Sequence, residues 1–282
     1  VIEAVAMKFL RHLILALVLL PVWAWAFSPS LQIRVESEWG NASPTDVKAV
    51  LDSVIFTMTP YVGLRSLDDI IVRNDRKGPI SLYERGSQDE YIILLDVHGR
   101  YWAQLAYQFS HEICHLLSNY DLAPNNSSRQ QWFEESLCEA FSLYTLEQMA
   151  RDWETDPPYP GWKDYAPELQ KYADNMLNQQ HRNLASNLPE WYREHRSVLE
   201  NNPYAQDRRL NEKFASHLLA IFQQQPLNWQ AINYLNLGAE NGDHSFQKYL
   251  DDWYAHTPRE LHFPIEAISQ VLDGRVATLQ RP

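Results

Sequence analysis

The stretch HEICH at residues 111–115 puts two imidazoles and a carboxylate within five positions. Imidazole nitrogens bind divalent metal ions, and a carboxylate beside such an ion can take a proton from water. That chemistry needs a helix to align the histidines and a third ligand within reach. Residues 101–118 (YWAQLAYQFSHEICHLLS) supply the helix. At about 100° per residue, Leu105, Phe109, Ile113 and Leu116 form one apolar stripe. His111 and His115 fall together on the opposite face, one turn apart. Glu112 sits about 100° round from His111, where it can reach a water on a metal without binding the metal. Random order gives on the order of 0.02 such matches in a chain with this composition.

A second helix is predicted over residues 131–146 (QWFEESLCEAFSLYTL), with Phe133, Leu137, Ala140 and Tyr144 on one face. Glu135 and Glu139 lie on the other, at i and i+4. Glu135 follows His115 by 20 residues. The intervening segment contains Pro124 and an Asn-Ser run, which suits a turn that brings the second helix back antiparallel beside the first.

His111-Glu112-x-x-His115 followed by Glu135 in WFEESLCE resembles the gluzincin metallopeptidases, the group that includes thermolysin and the zinc aminopeptidases. The resemblance covers about 35 residues and extends loosely to the strands before them. It implies one zinc ion held by His111, His115 and Glu135, with Glu112 as general base. It also implies that Glu139 orients the first histidine. Zinc with three protein ligands keeps a fourth position for water and lowers that water's pKa toward ~7. Glu134 is the rival third ligand. Glu135 is preferred because Glu134 points about 100° away from Glu139.

The elements that must hold these residues are read from patterning. LQIRVES (31–37) alternates as a strand, and a helix is predicted after Ser43 or Thr45. DDIIVRN (68–74), ISLYER (80–85) and YIILLDV (91–97) are short β-rich runs. Beyond residue 100 the pattern is helical. Strands first and helices later predict an α+β fold with a helical second part; the resemblance implies that its sheet is zincin-like and packs on the motif helix. ETDPPYPGW (154–162) suggests the boundary, giving a catalytic subdomain at 27–153 and a helical one at 154–282. Residues 1–26 read as a cleaved signal peptide with an extension at 1–6, because Lys8 and Arg11 precede a short apolar run and AWA. The expected location is therefore periplasmic or secreted.

A net charge of −12 argues against nucleic acid and anionic membrane surfaces as partners. No stable membrane insertion of the mature chain is expected, and the expected partner is a peptide or protein substrate. A donor for a tetrahedral oxyanion is less legible. Tyr204 ranks first, ahead of His217 and His244. Arg208 and Arg209 read as solvated surface in preference to carboxylate binders. The Trp- and Tyr-rich stretch from 153 to 204 reads as core anchors in preference to a substrate groove. Cys114 and Cys138 flank the ligand positions of the two helices, and a disulfide between them is expected to be within reach. Two function classes emerge: a zinc metallopeptidase, and a non-catalytic binding or assembly protein on the same fold.

Overall fold

The β-rich runs that precede the motif helix form one small sheet. In this computed structural model the described residues are 31–36, 38–63, 65–122, 130–184, 187–201, 207–239 and 243–273. Residues 1–26, expected to be a signal peptide, and Tyr204 lie outside them. Strands β1 (Ile33–Glu36), β2 (Ile70–Asn74), β3 (Ile80–Ser81) and β4 (Tyr91–Leu95) are ordered β1-β2-β4-β3. The β1–β2 and β2–β4 pairs are parallel, and β3 runs antiparallel to β4 at the edge. All five residues of β4 are buried, as expected for a strand covered on both faces. β3 is shorter than the run 80–85 predicted. After Leu82, whose N–H still donates to Ile92 O, the chain turns, and Gly86 N–H closes the turn on Glu90 O at 2.8 Å.

Helix α1 (Pro44–Val62) makes the crossover between β1 and β2. It begins at Ser43, whose Oγ accepts from the Asp46 N–H at 3.0 Å, with Pro44 in the first turn. Helices α2 (Trp102–Leu117) and α3 (Gln131–Trp153) follow. Then come α4 (Ala166–Leu177), α5 (Leu188–Asn201), α6 (Arg208–Gln224), α7 (Phe246–His256) and α8 (Phe263–Asp273). Every element described after residue 100 is helical, so the architecture is α+β with a small mixed sheet and a helical majority. Among the described residues no helix is long and apolar enough to cross a membrane.

Helix α3 is the centre of the packing. It lies against α2, α4 and α6 and is buried on almost every side. The sequence suggested one apolar and one polar face. Instead Glu134, Ser136, Glu139, Ser142 and Thr145 are buried along with the apolar stripe. A helix enclosed by neighbours on all sides has no solvent face to be amphipathic toward. The core also runs unbroken past residues 154–162, where Trp162 stacks on Trp102 at 5.1 Å. Most of the aromatic stretch belongs to this core: Trp153, Trp191 and Tyr192 are buried.

Trp132 joins four of these helices. Its ring meets Phe214 of α6 at 5.3 Å, Phe246 of α7 at 4.8 Å and Tyr192 of α5 at 6.2 Å. Trp132→Ala is expected to lower the unfolding free energy by about 3–5 kcal/mol, read by chemical denaturation.

Candidate metal centre

The residues that follow β4 aim the motif helix. Gly99, with φ 78°, turns the chain toward α2 and donates its N–H to Trp39 O at 3.0 Å. Gln108 then pins α2 to the strand end. Its Oε1 accepts from Asp96 N–H at 3.0 Å and its Nε2 donates to Asp96 O at 3.2 Å. Helices α2 and α3 run antiparallel. Tyr107 meets Glu139, His111 meets Glu135, and His115 meets Glu134.

Three donor groups converge between them. Nε2 of His111 lies 3.2 Å from Nε2 of His115 and 3.2 Å from Oε2 of Glu135. Nε2 of His115 lies 3.5 Å from Oε1 of Glu135. One ligand atom from each residue falls within 4.8 Å of the others. Three donors held at about 2.0–2.2 Å from one tetrahedral ion would stand roughly 3.3 Å apart. The residues present therefore fit a single divalent ion. They line a cavity of about 400 Å³ with Glu112. Glu112 is buried, and its Oε2 accepts from Ser81 Oγ of β3 at 2.8 Å.

Glu134 holds the second histidine. Its Oε1 lies 2.7 Å from Nδ1 of His115 and also accepts from Ser118 Oγ at 3.1 Å. Its Oε2 accepts from Asn236 Nδ2 at 2.8 Å. A carboxylate on Nδ1 fixes the ring and leaves Nε2 to the cavity. Burial alone would lower the His115 pKa, but Glu135 and Glu134 outweigh it and raise the pKa well above the usual histidine value. Burial alone would raise the Glu135 carboxyl, but His115 and His111 hold it well below the usual range.

Two expectations are corrected here. Glu139 does not orient His111. Its Oε2 accepts from the Tyr107 hydroxyl and its Oε1 from Nη2 of Arg182. The antiparallel crossing sets Glu139 beside the turn of α2 that precedes His111, and the orienting role falls to Glu134, on His115. Cys114 and Cys138 are not bridged. Both are free and fully buried, and the two side chains neighbour each other in the interior. Burial, reinforced by Cys114, pushes the Cys138 thiol up, so it stays protonated and slow to oxidise.

Of the remaining candidates, His217 and His244 are not among the residues lining the cavity, whereas Arg208 is. Ser81, Glu134, Asn236 and Arg182 complete the surroundings of the site without having been singled out as its supports. Glu134 carried a usable signal, since it adjoins Glu135. Arg182, in the short turn Gln180–Arg182, carried none. Comparisons with protein-family models, curated proteins and solved structures return no match.

Two outcomes follow from this geometry. Glu135 and Glu134 favour the protonated form of His115, and a divalent ion must displace that proton. Metal affinity should rise with pH, by about tenfold per unit for each proton released. Calorimetry in buffers of different ionisation enthalpy measures that release, and an affinity flat from pH 6 to 8 would contradict it. Alkylation of the denatured protein without reductant should add two groups per chain by intact mass.

Proposed function

We propose that this chain is an exported zinc-dependent metallopeptidase. The observation that carries the reading is the convergence of His111, His115 and Glu135 on one point of the cavity that Glu112 also lines. A bound zinc ion would supply Lewis acidity and a water of lowered pKa. His111, His115 and Glu135 would hold it. The Glu134 carboxylate keeps the His115 ring oriented with Nε2 toward the cavity.

Glu112 is the proton carrier. Ser81 donates to its Oε2, which fixes the carboxylate plane and leaves Oε1 to take a proton and later deliver it to the leaving amine. Its burial shields that proton from bulk exchange. The edge strand β3, which brings Ser81, also gives the cavity Ile80. The pattern of residues 7–26 supports export to the periplasm or beyond.

The purified protein is expected to bind one zinc ion per chain and to cleave peptides in a chelator-sensitive manner. Glu112→Gln should retain zinc by elemental analysis and lose at least about 10²-fold in kcat. His111→Ala should lose the metal. Full zinc occupancy in that variant, or unchanged turnover in Glu112→Gln, would refute the assignment.

A further inference from the structure

Among the described residues, Arg208 is the only lysine or arginine that lines the cavity shared by His111, Glu112, His115 and Glu135. Its side chain is 68% exposed, yet it is anchored: Nε donates to Glu212 Oε1 at 2.5 Å. Glu212 is itself buried and held from two further sides. Its Oε2 pairs with Nε2 of His181, and its backbone carbonyl accepts from Nη1 of Arg182 at 3.1 Å. An accessible guanidinium on a fixed base loses little rotamer freedom when it takes a ligand.

The position of Arg208 is set by a polar ladder. The Tyr107 hydroxyl donates to Glu139, and Arg182 donates to the other oxygen of Glu139. The same Nη2 of Arg182 lies 3.9 Å from Glu212 Oε2, and Glu212 grips Arg208. Tyr107 is one turn before His111, and Glu139 is one turn after Glu135. Because the helices are antiparallel, both displacements run the same way. The ladder is therefore offset from the three donor atoms by about one helical pitch, ~5.4 Å. An oxyanion donor must come within roughly 2.7–3.1 Å of the developing charge. A ladder one turn away is poorly placed for that. Arg208, at the far end of the ladder yet lining the same cavity, is instead placed to meet a bound peptide away from the reacting carbonyl.

The ladder also balances its own charge. Arg182 offsets Glu139, and Arg208 offsets Glu212, so the ladder adds no uncompensated anion of its own. Guanidinium presents five N–H donors, and Glu212 takes the Nε edge, leaving the exposed part of the fork for a planar acceptor.

We infer that Arg208 binds a carboxylate of the substrate within the cavity that holds the bond to be cut. The inference rests on the peptidase reading. A main-chain terminal carboxylate always lies on the leaving-group side, so this arrangement favours peptides whose C-terminus falls close to the scissile bond. An Asp or Glu side chain offers the same chemistry from a second source.

Two measurements test it. The first compares cleavage of acetyl-Ala-Ala-Phe, its C-terminal amide and acetyl-Ala-Glu-Phe amide by the zinc-loaded wild type, Arg208→Ala and Arg208→Lys. The free acid should be preferred by wild type, and Arg208→Ala should raise its KM at least about 10-fold with less change in kcat. The plain amide should be indifferent to the substitution, and Arg208→Lys should recover part of the loss. A selective loss on the Glu-containing amide instead would assign the side-chain source. The second measurement needs no turnover. Calorimetry of zinc-loaded Glu112→Gln, with and without Arg208→Ala, reads binding of the free acid against the amide. The metal also attracts carboxylates, so only the part lost with Arg208 counts. If no peptide is cut but this Arg208-dependent difference persists, the peptidase reading fails and the carboxylate site stands. If acid and amide respond equally to Arg208→Ala in both measurements, Arg208 has no such role.

Discussion

Four glutamates, Glu112, Glu134, Glu139 and Glu212, are buried between α2, α3 and α6, and the surrounding structure is organised by the need to satisfy them. A buried carboxylate without a partner neutralises or expels itself at a cost of several kcal/mol. Each of the four has partners from a different part of the chain. β3 sends Ser81 to Glu112, and the segment after Tyr234 sends Asn236 to Glu134. The turn at Gln180–Arg182 sends Arg182 to Glu139 and His181 to Glu212. The edge strand, the short turn and α6 are thereby fixed around α2 and α3. Hydrophobic burial holds the helices together, and the polar demands select this arrangement among those that would bury equal area.

The parts of this arrangement that local pattern determines were legible in the sequence. Alternation marked β1, β-rich composition marked β2 and β4, and the 3.6-residue period marked α2 and the start of α3. The shared face of His111 and His115 followed from spacing alone. The near miss lay between Glu134 and Glu139. Both flank Glu135 on α3, and a helical wheel ranks them only by angle. Which of them meets a histidine depends on how α2 crosses α3, and that crossing is a tertiary quantity that neither helix's own pattern fixes. Arg182 was illegible for a similar reason. It lies in a short polar turn, and only the approach of α6 buries it. The full burial of α3 was likewise hidden, because Ser136, Ser142 and Thr145 look like solvent positions. They satisfy themselves on the carbonyls at Trp132, Cys138 and Phe141 of the preceding turn, so the helix can be enclosed without stranding a hydroxyl.

The two thiols have a mechanical consequence. Cys114 and Cys138 meet in the seam between α2 and α3, each adjacent in sequence to a residue of the polar cluster. The distance between packed helices depends on the bulk of the side chains at their contact. The pair therefore acts as a shim. Its thickness sets how far apart the two helices stand, and so the gap between the histidines on one and Glu135 on the other. A close-packed interior transmits changes of a single methylene. The spacing of the three donor groups is thereby set from inside the hydrophobic core, by residues that do not line the cavity.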